Sequence, residues 1–295
     1  MEDNQSKRIA ASELILNPDG SIYHLNLKPE DLATTVIVVG DPDRVDLVSD
    51  YFDTIDLKAF HREFKTHTGT YRGKRISVLS TGIGTDNIDI VFNELDALVN
   101  IDFESRTVKE THTPLDIIRI GTSGALQPEI AVDSMLVSEL AMGFDTLLHF
   151  YGNTTFLDTE VSEAFMKHTQ WSVQKSHPYV VHADTDLLTK FASENIQNGF
   201  TTTNVGFYGP QGRVLRLALQ DPFLNDKIAS FNYKGRKITN LEMETAGIYG
   251  MSKLLGHRAI SLNAILANRP NGQFSSKPKE AIHKLVQHTL DVLVS

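Results

Sequence analysis

Short runs of β-branched and aliphatic residues alternate along the chain with segments in which apolar residues recur every three or four positions. The first pattern is typical of buried strands, and the second is typical of amphipathic helices. The C-terminal segment is the clearest helix, because its apolar residues share one face and it follows Pro278, a residue suited to a helix start. We predict strands at 36–39, 76–80, 117–120, 134–140, 202–207 and 259–266, and helices at 44–52, 88–99, 186–196, 244–255 and from 278 onward.

Strands linked by helices indicate an α/β domain with a mixed, largely buried sheet. No repeat, low-complexity tract or linker interrupts the chain after Thr34, so we expect one domain over 23–295. Residues 1–22 are expected to form an N-terminal arm, of which 1–12 are loose. The polar segment 100–114 predicts a solvent-facing loop or an extension of a helix.

Composition excludes several functional classes. The 28 Lys and Arg residues against 37 Asp and Glu residues give a net charge of −9, so nucleic acids and anionic membranes are poor partners. A local group of arginines can still bind one small anion. The chain contains no cysteine, which excludes disulfides, thiolate metal sites and a cysteine nucleophile. Because neither a signal peptide nor a run of about 18 apolar residues is present, we expect a cytoplasmic protein.

Three glycine-containing segments directly follow predicted strands, at 40–44, 80–84 and 119–124. In open α/β sheets, ligands bind beyond the carboxyl ends of the strands, where glycine lets the backbone approach the ligand. Neither a P-loop lysine signature nor a complete dinucleotide fingerprint is present, so ATP and NAD are not expected. Each turn taken alone is explained as well by a tight connection between a strand and a helix.

Two of these segments contain an arginine, and one ends in hydroxyl residues followed by glycine. Arg44, Arg119 and Thr122 together offer charged and neutral donors to one tetrahedral anion, for which phosphate is the natural choice. For each arginine alone, a surface ion pair is the simpler explanation.

Five motifs in order along the chain resemble those of the nucleoside phosphorylase I family. The resemblance extends from about Tyr23 to the C-terminus, and it implies a single-domain, three-layer α/β/α fold with a mixed central sheet. It also implies a pentosyltransferase that uses inorganic phosphate as co-substrate and needs no cofactor. The motifs are Gly40-Asp41-Pro42-Asp43-Arg44, His61-Arg62-Glu63-Phe64, Ser80-Thr81-Gly82-Ile83-Gly84, Arg119-Ile120-Gly121-Thr122-Ser123-Gly124 and Glu242-Met243-Glu244.

Segment 207–213 resembles the F-Y-x-x-Q-x-R pattern with which uridine-cleaving members of this family read uracil. The resemblance therefore implies reversible phosphorolysis of uridine, and of deoxyuridine, to uracil and the sugar 1-phosphate. Residues 266–269 lack the aspartate that purine-specific bacterial relatives carry after the late strand, which favours a pyrimidine. A purine or broad-specificity phosphorylase, a nucleoside hydrolase and a non-catalytic nucleoside-binding relative remain as alternatives.

The resemblance also assigns roles to residues by their positions in the motifs. It makes Arg119, Arg213 and Gln211 catalytic. It assigns phosphate binding to Gly40, Arg44, Arg119 and Thr122, with Arg62 reaching in from a neighbouring subunit. Ribose would be held by Met243, Glu244 and Glu242, with His24 of the neighbouring subunit at the 5′-hydroxyl. The base would contact Phe207, Gln211, Arg213, Ser123, Gly124 and Leu266.

The sequence predicts no catalytic metal, because the histidines show no regular H-x-x-x-H or H-E-x-x-H spacing. Glu63 matches a residue that holds a monovalent cation between subunits in some bacterial relatives. Asn87, however, stands where those relatives have serine, which argues against that ion. Sites shared between subunits imply a homodimer or a hexamer built from dimers, and the sequence does not decide between them.

Overall fold

The computed structural model describes residues 7–295. Within them, the strands are β1 (Thr35–Val39), β2 (Thr54–His61), β3 (Phe64–Tyr71), β4 (Lys74–Ser80), β5 (Ile101–Asp102), β6 (Thr107–Val108), β7 (Asp116–Ala125), β8 (Met135–Gly143), β9 (Tyr179–His182), β10 (Ile196–Thr203), β11 (Asn232–Tyr233), β12 (Arg236–Lys237), β13 (Asn240–Glu242), β14 (Arg258–Asn268) and β15 (Gln273–Phe274). The helices are α1 (Pro42–Ser49), α2 (Thr85–Asn100), α3 (Thr159–Thr169), α4 (Thr185–Phe191), α5 (Leu224–Ser230), α6 (Thr245–Leu255) and α7 (Pro278–Val294).

A mixed sheet organises the molecule. Its strand order is β15-β14-β8-β10-β13-β7-β1-β4-β3-β2, with β9 beside β8. Strand β1 is parallel to both β4 and β7, whereas β13 is antiparallel to β7. Because β14 pairs with β7 as well as with β8, the pairings β7-β14-β8-β10-β13 close into a ring. The predicted α/β fold with a mixed central sheet is confirmed, and the ring is a feature that the sequence pattern did not indicate.

Helices pack against this sheet in two groups. Helix α6 contacts α2 and strands β8, β10 and β14, while α7 contacts β14, β7 and α4. The predicted apolar face of α7 lies inward, with Leu285, Val286 and Leu290 completely buried. Burial of each such side chain contributes about 1.5–3 kcal/mol relative to exposure. Helix α1 begins at Pro42, two residues before the predicted start at 44, and there the Asp41 carboxylate accepts a hydrogen bond from the Asp43 backbone N–H.

Three element boundaries differ from the predictions. Strand β10 ends at Thr203, so residues 204–207 of the predicted strand leave the sheet, and α4 ends at Phe191 because residues from Ile196 onward pair with β8. Residues 121–124 are not a turn, since β7 continues through them and pairs with β14. In each case pairing with distant strands decided the boundary, and local periodicity carries no information about such pairing.

The N-terminal arm is held down where the structure describes it. Residues 1–6 of the predicted loose arm lie outside the described residues. Arg106 accepts a hydrogen bond at its backbone oxygen from Ile9, and its guanidinium donates to the backbone oxygens of Ile9, Ala10 and Leu14. Arg106 lies between β5 and β6, which pair as a small hairpin within the segment predicted as a solvent-facing loop or a helix extension. The prediction of a loose arm is therefore wrong for residues 9 and 10.

Candidate active site

A cavity of about 470 Å³ lies at the ends of β1, β10 and β13 and along β7 and β14. This volume is in the range of pockets that hold small organic ligands. Every predicted site residue except His24 and Arg62 lines it. These residues are Gly40, Arg44, Arg119, Thr122, Ser123, Gly124, Phe207, Gln211, Arg213, Glu242, Met243, Glu244 and Leu266.

Arg119 forms the centre of a buried charged cluster on the cavity wall. Its Nη2 lies 2.5 Å from Glu244 Oε2 and 2.9 Å from Glu242 Oε2, and its Nη1 donates to Asn263 Oδ1 at 3.1 Å. A Cβ on Gly121 would stand 1.7 Å from Arg119 Nη1, so the side chain folds across that glycine. The glycine in this motif thus makes room for the arginine two residues before it.

The two carboxylates are themselves fixed by neutral donors. Glu242 accepts hydrogen bonds from Thr203 Oγ1 at 2.7 Å and from the backbone N–H groups of Glu244 and Thr245, where α6 begins. Glu244 Oε1 accepts from the backbone N–H of Gly84 at 2.9 Å. Such a network holds its members in one arrangement, because each buried polar atom would otherwise lose a partner.

Opposing electrostatic effects act within this cluster. Burial acts to lower the pKa of Arg119, but the charges of Glu242 and Glu244 outweigh it and raise that pKa above the ordinary value. Burial raises the pKa of Glu244, with the Glu242 charge acting in the same direction against the influence of Arg119. The guanidinium therefore stays cationic, and it binds both carboxylates together.

Arg44 adds a second guanidinium to the same end of the cavity. It lies in the first turn of α1, and its Nη1 donates to the backbone oxygen of Ile120 at 3.2 Å. Burial lowers its pKa, and the nearby Arg119 charge contributes to the shift. Its other guanidinium N–H groups bind no atom of the described residues, and Gly40 and Thr122 line the same cavity. This end of the cavity can therefore accept an anion with several oxygens.

The other end of the cavity is built from the loop after β10. A single turn of 3₁₀-helix spans Gly209–Gln211, and Gly212 follows with a φ of +69° that favours glycine. The Arg213 guanidinium lies 3.7 Å from the centre of the Phe207 ring. Its Nη1 donates to the Phe207 backbone oxygen at 2.7 Å and to Gln211 Oε1 at 2.6 Å. Because Gln211 Oε1 accepts from Arg213, its amide N–H groups are the part left to donate to a ligand.

Sequence reasoning missed several residues that support these two ends. Arg269 Nη1 donates to the Gln211 backbone oxygen at 3.1 Å. Burial lowers the pKa of Arg213, with the Arg269 charge contributing. Thr203 and Asn263 are completely or almost completely buried, and they bind Glu242 and Arg119. The signal that could have identified these last two is a polar residue inside an apolar strand pattern.

His24 and Arg62 lie near each other, but neither lines this cavity. The Arg62 guanidinium is 5.9 Å from the centre of the Tyr23 ring, and His61 Nδ1 is 3.0 Å from the His24 backbone oxygen. His24 Nδ1 lies 2.6 Å from Glu94 Oε1. The role predicted for His24 and Arg62, in the cavity of a neighbouring subunit, remains a prediction.

A larger cavity of about 780 Å³ adjoins the first, and Ile83 and Met243 line both. Its wall includes Phe144, Trp171 and the buried Asp145, to whose carboxylate Tyr179 Oη donates at 2.8 Å. Burial raises the pKa of Asp145. None of the predicted phosphate-binding or base-binding residues lines this cavity, so the smaller one is the candidate site.

Asp96, His112 and His257 come together at the start of β14, whereas the cavity-lining residue of that strand, Leu266, is near its end. The Leu115 backbone N–H donates to His257 Nδ1, which places the ring proton on Nε2, 3.4 Å from Asp96 Oδ1. A nitrogen that carries a proton offers no lone pair to a metal, and at this distance His257 Nε2 makes no hydrogen bond to Asp96 or to any other described residue.

Glu63 and Asn87, at the two positions considered for a monovalent cation, also lie close together. A Cβ on Gly82 would stand 2.3 Å from Asn87 Nδ2 and 3.1 Å from Glu63 Cγ. Asn87 thus has a side-chain amide at the position where some bacterial relatives have a serine hydroxyl.

No helix within residues 7–295 is long and apolar enough to cross a membrane.

Comparison with known proteins places these features in a family. Residues 34–294 match the model of the phosphorylase superfamily. A uridine phosphorylase of Thermococcus kodakarensis is 28% identical over 97% of this chain and 92% of its own length. A DeoD-type purine nucleoside phosphorylase of Chromobacterium violaceum is 29% identical over 86% of this chain and 89% of its own length.

The fold agrees with a solved structure along nearly its whole length. A Trypanosoma brucei nucleoside phosphorylase, whose crystal structure is described as showing uridine phosphorylase activity, superposes with a TM-score of 0.85 and 28% identity. The match covers 96% of this chain and 99% of that one. The family predicted from the ordered motifs is therefore confirmed by a model match that begins just before β1 and ends within α7. The chain belongs to the phosphorylase superfamily.

Proposed function

We propose that the chain is a uridine phosphorylase, a pentosyltransferase that converts uridine or deoxyuridine and phosphate to uracil and the sugar 1-phosphate. The observation that carries this proposal is that two separate donor groups line one cavity. Arg44 and Arg119 form one group beside Glu244, and Gln211 and Arg213, joined by a hydrogen bond, form the other. A nucleoside between them would meet phosphate on one side and have its base held on the other.

At the anion end, phosphate would be held by Gly40, Arg44, Arg119 and Thr122. Met243 and Glu244 would hold the ribose, with Glu242 keeping Glu244 and Arg119 in place. Phosphate beneath C1′ would stabilise the positive charge that develops on the sugar as the bond from C1′ to N1 breaks, and it would then capture that carbon. The reaction needs neither a covalent enzyme intermediate nor a cofactor, since phosphate is itself the nucleophile.

At the base end, Phe207 would stack on uracil, while Ser123, Gly124 and Leu266 would border the ring. The departing uracil carries negative charge, and the donors of Gln211 and Arg213 would stabilise it. Preorganised donors of this kind are typically worth about 3 kcal/mol each in the transition state. Arg119, Gln211 and Arg213 are thus the residues to which we assign catalysis.

We further propose that each site is completed by a second copy of the chain. The exposed Arg62 would reach phosphate, and His24 would reach the ribose 5′-hydroxyl, in the neighbouring subunit's cavity. In support, the two residues lie on one surface of the protomer and both contact Tyr23. A homodimer is the smallest assembly that meets this requirement.

A purine nucleoside phosphorylase is the second candidate, because a relative with that name is 29% identical, although over 86% of this chain against 97% for the uridine phosphorylase. The base end argues against it. Asn268, in the segment where purine-specific relatives carry aspartate, donates its amide to the backbone oxygens of Gln127 and Ile130. Arg269 binds the loop that carries Gln211. Neither side chain provides a carboxylate for a purine nitrogen.

The test is release of free base from uridine and from inosine, each with and without inorganic phosphate. We expect uracil release that requires phosphate, with inosine inert. Release from inosine would assign the chain to the purine or broad-specificity phosphorylases, and release without phosphate would make it a hydrolase. If neither nucleoside is cleaved, a nucleoside-binding role would replace the proposal.

A further inference from the structure

Glu94 on α2 gathers three hydrogen-bond donors from one short segment of the chain. Its carboxylate accepts from the backbone N–H of His24 at 3.0 Å and of Leu25 at 2.8 Å. It also lies 2.6 Å from His24 Nδ1. The Glu94 side chain is 12% exposed and the His24 side chain is 26% exposed, so these contacts are largely shielded from water.

The contact with Glu94 decides which nitrogen of His24 carries a proton. An ionised carboxylate only accepts, so His24 Nδ1 must donate, and the neutral ring then has its lone pair on Nε2. The ring also has one orientation, because it packs edge-on against Tyr23 and Phe64. His61 Nδ1, 3.0 Å from the His24 backbone oxygen, holds the main chain from the other side. Nε2 is therefore the atom that His24 has available for a ligand.

We propose that Glu94 is a positioning residue, which holds His24 so that its Nε2 meets the sugar 5′-hydroxyl in the neighbouring subunit's cavity. This inference rests on the proposed function. Glu94 touches neither substrate itself, and it lies outside the residues that line the cavity. It acts by fixing the orientation and the tautomer of a side chain that would otherwise be mobile near the N-terminal arm.

The kinetic test compares uridine with 5′-deoxyuridine, which lacks the hydroxyl in question. In the Glu94→Gln variant, the amide N–H₂ would face His24 Nδ1 and disturb the bond that orients the ring. We expect the preference for uridine over 5′-deoxyuridine, measured as a ratio of kcat/KM, to fall by about tenfold, the worth of one hydrogen bond. His24→Ala should show the same loss, and the double variant should show no further loss.

The matched control is Glu163→Gln on α3, which removes the same charge from an exposed helical position. It should leave the substrate preference unchanged. Equal losses for both substrates in Glu94→Gln, or losses that add in the double variant, would overturn the proposal, because a purely structural role for Glu94 predicts that behaviour.

A spectroscopic test does not depend on activity. In the wild-type protein labelled with ¹⁵N-histidine, the His24 signals, assigned by their absence in His24→Ala, should show a protonated Nδ1 and an unprotonated Nε2. The reverse tautomer would overturn the proposal even if Glu94→Gln fails to fold. Failure of the wild type to cleave uridine would instead refute the proposed function, and the tautomer result would still stand.

Discussion

The two ends of the candidate site are built in different ways. Arg119 is 5% exposed on a central strand, and it is bound by two buried carboxylates and an asparagine. Arg213 instead lies on an irregular loop, where it stacks on a half-exposed Phe207 and binds backbone and amide oxygens. The first arginine is buried in a charged cluster within the sheet, and the second lies on a partly exposed loop.

This contrast separates the structural and the chemical contributions of similar residues. Removal of a partner from a buried charge cluster leaves an unpaired charge in a medium of low polarity, which is costly for folding. Loss of a half-buried loop arginine leaves no such charge behind. Loss of Arg119 should therefore change stability and activity together, whereas loss of the Arg213 side chain should change activity with little change in stability.

The largest effect is expected for Arg119→Met, which leaves Glu242 and Glu244 without their cation. The free energy of unfolding should fall by about 3–5 kcal/mol, and phosphorolysis of uridine should be lost. Urea denaturation and the base-release assay measure the two effects. The control is Arg258→Met, because that arginine pairs with Asp116 at an exposed position, where such a pair is worth about 1 kcal/mol or less. Equal destabilisation by both variants would contradict the difference in burial.

Arg213→Ala should affect catalysis without comparable loss of stability. Turnover of uridine is expected to fall by about 10²–10³-fold, the usual cost of one lost transition-state donor. The KM for phosphate should not change, and the free energy of unfolding should stay within about 0.5 kcal/mol. Arg216→Ala, at an exposed position of the same loop, serves as control. Unchanged uridine turnover in Arg213→Ala would refute the role assigned to this residue.

A smaller effect is expected for Gly212→Ala, which tests whether the loop geometry matters for the base. The positive φ costs an alanine about 1–2 kcal/mol, and its Cβ would stand 2.4 Å from Asn225 Nδ2. Asn225 Nδ2 would then have to release the Gln211 backbone oxygen, which it binds at 3.0 Å. The KM for uridine should rise severalfold while that for phosphate stays the same. Gly152→Ala, where a Cβ meets no atom within 4 Å, should change neither constant.

Most elements were predictable because their signals are local. The apolar run at 36–39 and the one-sided apolar face of α7 correspond to a strand and a helix in the structure. The segment after residue 203 was not predictable, because its departure from the sheet depends on where β8 and β13 end beside β10. Local pattern also could not show that Gly121 lies within β7, where it makes room for Arg119.

The sequence by itself determined the α/β class, the family and most of the residues that line the candidate cavity, because ordered motifs preserve residue types whose chemistry is specific. The tertiary structure decided how these residues act on one another. Arg119 meets Glu242 and Glu244 from more than 120 residues away, and Glu94 meets His24 across 70. Such contacts arise only when strands and helices pack, and burial and distance then set the strength of an ion pair or a hydrogen bond. Spacing along the chain records neither quantity.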